Sequence, residues 1–413
     1  MDAPLYGCCR WWPLVVYVIM KRYKWFSIGL FAVIAGILLI KYVSGIVDRN
    51  RYKRLKTEFV FADIINLGCT SPKNQGASNT CWSYTGNSFL ESEMIRMGKD
   101  PVEISQIYTA RQAYLDKARN FVRLHGGMSM GEGGQLLDVL HVFRKYGAMP
   151  RSAYSGLYGA QTYNDFRKMT PMLRAMLKVL VKSKPLARHW EEAYQAALDK
   201  HLGEVPANFE YKGKTYTARS FADQVIGINP DDYIGLASVT DQPYFKPFVL
   251  LVPDNWSFHN FYNVPMQDLT QIIDGALRKG YTVAWTTDVS EKGFSWPYGI
   301  AYVPEKDFEN LPDEDKEAMF VKPQPERKVT AEERQRAFDD WSTTDDHAMH
   351  IVGLAKDQYD KEYYMVKNSW GKTNNFKGYM YVTKEFVRYK TITLMLHRDA
   401  LETAIKTKIK PNS

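Results

Sequence analysis

Three short segments far apart in the chain carry its reactive residue types, and the first sets the terms for the other two. Asn74-Gln75-Gly76-Ala77-Ser78-Asn79-Thr80-Cys81-Trp82 places a cysteine at what reads as the start of a helix. Ser78, Asn79 and Thr80 are residue types that cap helices, and Gly98 is a natural stop. A thiol at a helix N-terminus feels the positive end of the macrodipole, which favours the thiolate. Cys81 is therefore a candidate nucleophile, although a free cysteine taken alone is more often a small buried apolar group. The helix following it is expected to carry Trp82, Phe89, Leu90, Met94 and Ile95 mostly on one packed side.

The second segment runs from Thr344 to Leu354 and the third from Tyr363 to Gly371. Both read as short apolar strands with a polar residue at one end. A nucleophilic thiol needs a base that takes its proton and returns it to a leaving group, and a third group that holds the imidazole. His347 and Asn368 are those residue types, in the chain order Cys, His, Asn. His350 is a rival base, but three residues along a strand it faces the opposite side. Asp345 and Asp346 are expected to face water.

Gln75, Cys81-Trp82, Asp346-His347-Ala348 and Asn368-Ser369-Trp370-Gly371 together resemble the papain superfamily of cysteine peptidases. Ser78, Asn79 and Thr80 stand where the papain pattern has Cys-Gly-Ser before its nucleophile. His347 lies 266 residues after Cys81, against roughly 130–150 in papain-like enzymes, so a large insertion is implied. The bleomycin hydrolase and aminopeptidase C branch is the closer match. It is similar also at Glu103 to Tyr108, Lys117 to Phe121, Gly133-Gly134-Gln135, Lys145-Tyr146-Gly147, Asp231-Asp232-Tyr233 and Asn263-Val264-Pro265. The resemblance implies an α+β, two-lobed papain-like fold, a helical lobe plus a β-barrel-like lobe, with catalysis in the cleft between them.

By that resemblance Cys81 is the nucleophile and His347 the base and acid. Asn368 orients the imidazole, and the Gln75 side chain with the Cys81 N–H forms the oxyanion hole. Gly133, Gly134, Trp82 and Trp370 are the substrate-binding residues, and Trp370 also covers the His–Asn contact. The implied activity is hydrolysis of peptide substrates, as an aminopeptidase, with no cofactor and no metal. The implied assembly is a homohexamer around a channel, with a C-terminal arm in the cleft. The basic tail from Ala404 to Ser413 does not match that arm, so a papain-like endopeptidase stays open as an alternative. A non-catalytic papain-fold binding module is the other.

The remaining sequence sets the domain boundaries. Residues 1–45 hold a basic cluster, Lys21 to Lys24, before an apolar run from Phe26 to Ile40. That pattern suits a signal or membrane-anchor segment, giving export across a membrane or anchoring to it, with a cytoplasmic placement as the alternative. Residues 46–157 form the helical lobe, 158–280 a mostly helical insertion, 281–395 the β-rich lobe and 396–413 a tail. The stretch 305–335 reads as a charged surface excursion. Net charge is +8 with acids and bases interspersed, a solvated surface rather than a nucleic-acid footprint, and no phosphate loop or zinc-ligand spacing accompanies it. Cys69 and Cys81 are the two cysteines beyond the apolar run, and pairing them would consume the nucleophile.

Overall fold

The computed structural model describes residues 55–409, apart from 159–160 and 306–310. The export or anchor segment at 1–45 and the tail end at 410–413 lie outside the described residues. The first helix, α1 (Cys81–Arg96), is followed by α2 (Gln106–Arg123) and α3 (Leu136–Tyr146). Two further helices, α4 (Met169–Leu180) and α5 (Trp190–Leu202), come next, then α6 (Ala218–Phe221) and, after the β-strands at its flanks, α7 (Met266–Arg278). Later come α8 (Asp313–Ala318), α9 (Ala331–Asp339), α10 (Lys384–Lys390) and α11 (Thr403–Lys406).

Helix α1 is not the one-sided helix its apolar spacing suggests. It is buried nearly all round, small polar residues included, because α2, α3 and the sheet pack against it together. Two of its polar groups are bonded internally: Ser83 Oγ donates to Gln106 O (2.6 Å) and Asn87 Nδ2 to Ser83 O (2.8 Å), as burial favours. Gly86 allows α3 to come close, since a Cβ there would run into the Val139 side chain. The start of α2 falls at Gln106, where Ser105 Oγ caps the Tyr108 N–H. The preceding residues are extended, with Ile104 bridged to Pro150.

The strands are β1 (Ala62–Asn66), the hairpin β2 (Phe209–Tyr211) and β3 (Lys214–Tyr216), then β4 (Tyr233–Ala237), β5 (Pro247–Val249) and β6 (Asn260–Asn263). They continue with β7 (Val283–Thr287), β8 (Phe294–Ser295), β9 (Ile300–Ala301), β10 (His347–Lys356), β11 (Glu362–Lys367), β12 (Tyr379–Thr383) and β13 (Thr391–His397). Eleven of them form one mixed sheet in the order β5-β6-β4-β13-β7-β10-β11-β12-β9-β8, with β1 also on β10. Residues 233–263 thus supply three strands to the sheet that carries His347.

The expected β-barrel-like lobe is not present: the sheet is open. Closure needs the first and last strands to pair, and β5 and β8 do not pair with each other. Instead of closing on itself, the sheet buries both faces against helices. Alternation along the central strands divides two cores. Trp285, Met349, Ile351, Leu394 and Leu396 face one side with Leu269, Ile272 and Ile273 of α7. Ala284, Ala348 and Met395 face the other, with α1 and its helical neighbours. The chain beyond β13 belongs to the α7 side, where Ile405 and Ile409 are buried.

Candidate active site

Cys81 is the first residue of α1. Thr80 precedes it at the cap, but no side chain caps the helix. Thr80 Oγ1 is instead 2.7 Å from Ser78 Oγ, which donates to Gln75 O at 2.8 Å. Ser83 N and Tyr84 N bond to Thr80 O (3.0 and 3.1 Å), and the Cys81 and Trp82 N–H groups are left for other partners. Asn79 takes φ 52° and Gly76 φ 62° to turn the chain into the helix. At Gly76 a side chain would strike the Asn164 carbonyl.

The strand register brings the other two segments in. His350 pairs with Lys367 across the antiparallel β10–β11 ladder. Continuing outward by three residues sets His347 opposite Trp370 and beside Asn368. His347 Nε2 is 2.8 Å from Asn368 Oδ1, and the same oxygen accepts from Ser369 N at 2.6 Å. Since a carbonyl oxygen only accepts, Nε2 carries the hydrogen and Nδ1 is the basic nitrogen of the neutral ring. The Trp370 indole lies over that ring, centroids 4.4 Å apart. The Cys81 sulfur accepts from the backbone N–H of Ala348, next to His347.

Gln75 is tied to the same place from the other side. Its N–H donates to Ser369 O at 2.8 Å, and its Oε1 accepts from Ser369 Oγ at 2.6 Å. The carboxamide is thereby turned so that Nε2 is its remaining donor. Gln75, Cys81, His347, Asn368 and Trp370 are thus brought together from three parts of the chain.

The glycines sit differently from a bare substrate ledge. At Gly133 the close neighbour is the Asp254 carboxylate, and at Gly134 the Trp82 indole, each where a Cβ would collide. Trp82 Nε1 donates to Glu132 O at 3.0 Å. Lys117, buried behind the loop, donates to Gly131 O (3.0 Å) and Gly133 O (2.7 Å). Asp345, expected in water, accepts from Gln135 Nε2 at the head of α3. Asp346 is exposed, and it accepts from Val289 N at 2.9 Å. Lys117 stands in a recognisable block, but its role had no signal in the sequence. Asp254 had none either.

Burial pushes the Cys81 thiol up to about 12, with the Asp254 and Asp345 charges adding to it against the Ala348 N–H. Desolvation therefore outweighs the helix dipole that the sequence suggested. Burial likewise lowers His347 to about 4, against the Asn368 hydrogen bond that raises it. Burial thus favours the neutral thiol and the neutral ring, each taken by itself. Among the described residues, no three His, Cys, Asp or Glu side chains are placed to hold a metal ion.

The rival histidine is elsewhere. His350 Nδ1 is 2.9 Å from Ser88 Oγ, seven residues or about 10 Å along α1 from Cys81. Its Nε2 is buried without a partner among the described residues. Burial, with Lys367 nearby, holds this ring well below the usual 6.5. The unfolded chain takes up a proton here as pH falls below 6.5 and the folded chain does not, so folding is weakened on the acid side. Relative to His350→Gln, the wild type is expected to lose up to about 1.4 kcal/mol of stability per pH unit below 6.5. Urea unfolding of both proteins at pH 7 and pH 5.5 checks this; equal losses would mean the ring is protonated in the fold.

The model of the Peptidase C1-like family matches residues 39–412. Aminopeptidase C of Lactococcus lactis subsp. cremoris is 23% identical over 369 residues, covering 79% of this chain and 80% of the relative. Aminopeptidase G of Lactobacillus delbrueckii subsp. lactis is 23% identical over 400 residues, covering 87% and 88%. The crystal structure of PepW from Lactobacillus rhamnosis HN001 superposes with a TM-score of 0.66 at 18% identity, covering 87% of this chain and 86% of that one.

Proposed function

The chain belongs to the Peptidase C1-like family and is a cysteine-type peptidase; on that premise we propose that it removes residues from the N-termini of peptides through Cys81, His347 and Asn368. One observation carries this reading: the 2.8 Å contact of His347 Nε2 with Asn368 Oδ1, with the Cys81 sulfur at the N–H of the residue after that histidine. His347 Nδ1 takes the thiol proton as sulfur attacks the carbonyl carbon. The C–O π electrons move to oxygen, which the Cys81 N–H and Gln75 Nε2 stabilise. As the oxygen electrons return, the C–N bond breaks and His347 gives its proton to the departing amine. Water, deprotonated by the same ring, then cleaves the thioester and restores the thiol.

Chain-end cutting is supported by the relatives, which are named aminopeptidases. An endopeptidase is the second reading. It is favoured by the C-terminal segment, which through Ile409 is packed on the α7 side of the sheet and not against Cys81. A ten-residue peptide with a free or acetylated N-terminus separates the two. We expect stepwise loss of N-terminal residues, followed by mass spectrometry, and at least tenfold slower loss after acetylation. Internal cleavage at equal rates in both peptides would replace the aminopeptidase with the endopeptidase.

A further inference from the structure

Chain-end cutting requires something that recognises the end, and the loop 250–259 supplies a group of the right chemistry. Asn255 braces this loop: its Nδ2 donates to Leu250 O (2.9 Å) and His259 O (3.0 Å), and its Oδ1 accepts from His259 N at 2.9 Å. Asp138, at the start of α3, pins it from below, accepting from Ser257 Oγ at 2.6 Å, with His259 Nε2 at 2.8 Å. The braced loop holds the Asp254 carboxylate against Gly133. It is close enough to Cys81 for its charge to act on the thiol.

Asp254 has no hydrogen bond and no ion pair among the described residues, although burial already disfavours its charge. The nearest cation acting on it, Lys117, spends its ammonium on the Gly131 and Gly133 carbonyls. A second carboxylate, Asp345, also acts on the thiol and has one oxygen bonded to Gln135. Asp138 and Glu132 add negative charge around the pair. A partly buried carboxylate held without a partner is costly, and the cost is removed by a cation with N–H donors. Peptides offer one as the N-terminal ammonium or as a lysine side chain.

We propose that Asp254, with Asp345 beside it, is the receptor for the ammonium at the N-terminus of the substrate, and so the residue that restricts cutting to chain ends. This rests on the peptidase reading above, and it places the restriction on the 250–259 loop rather than on a C-terminal arm.

Binding to the full-length Cys81→Ala protein tests it without hydrolysis. The probes are Ala-Phe-Ala, its N-acetyl form, and N-acetyl-Lys-Phe-Ala, measured by calorimetry. Acetylation of Ala-Phe-Ala is expected to weaken binding at least tenfold, and Asp254→Asn to erase that difference. The weakening persisting in full in Asp254→Asn, or absent in the parent, would overturn the proposal. Tight, Asp254-dependent binding of N-acetyl-Lys-Phe-Ala would overturn it in favour of a side-chain ammonium site. Should Asp254→Asn fail to fold, Asp345→Asn in the same assay is expected to reduce the acetylation difference at least threefold, and an unchanged difference counts against the site. A wild type without peptidase activity would remove the catalytic reading and leave this binding result standing.

Discussion

Cys81→Ala is expected to lower kcat by roughly 10⁴- to 10⁶-fold, the range found when a nucleophile of this kind is removed. Only the sulfur is lost, from a side chain that is partly exposed, so the unfolding midpoint should stay within a few degrees. His347→Ala is expected to cost about as much. The double variant should be no worse than either single one, because thiol and imidazole act as a unit. Steady-state rates on an aminoacyl-amide, with alkylation by iodoacetamide as a second readout, decide it. Activity within tenfold of wild type in Cys81→Ala would place the nucleophile elsewhere.

The second large effect is expected at Gln75. Its Oε1 is held by Ser369 Oγ at 2.6 Å, so on the proposed mechanism the carboxamide is fixed before substrate arrives and Nε2 meets the oxyanion without reorganisation. Gln75→Ala should therefore lower kcat by about 10²- to 10³-fold, about 2.7–4 kcal/mol, with KM nearly unchanged. Alkylation of Cys81 has no oxyanion to stabilise and should keep its rate. If alkylation slows in parallel with peptidolysis, Gln75 is shaping the thiol's surroundings rather than binding the oxyanion.

Much of the local structure was legible in residue patterns. The strand that carries His347 follows from its apolar run, and a helix opening at Cys81 from the residue types before it, although Thr80 Oγ1 turns to Ser78 instead of capping. The α7 helix ends where Gly280 follows it. Closure of the sheet was not legible: alternation says that Met349 and Ala348 face opposite ways, but not whether the sheet's edges meet. Here both faces found helices to cover them, and the short edge strands β5 and β8 stay apart. The burial of α1 on all sides was likewise hidden, because its serines, threonine and asparagine read as a solvent face. Ser83, Asn87 and Ser88 are instead bonded within the core.

The electrostatics of the cleft depended wholly on tertiary placement. A helix N-terminus argues locally for a thiolate. The counterweight, desolvation together with Asp254 and Asp345, comes from segments 173 and 264 residues further along the chain.

Sequence by itself determined the family and the residue types available for the chemistry, since a thiol, an imidazole and two carboxamides in fixed local contexts survive as text. Only the tertiary structure decided that the sheet is open, that His350 is turned onto Ser88, and that the Asp254 carboxylate lies over Gly133 with no partner among the described residues. The physical reason is range: capping and alternation act over a few residues, whereas burial and Coulomb interactions depend on distances in space that the order of residues does not record.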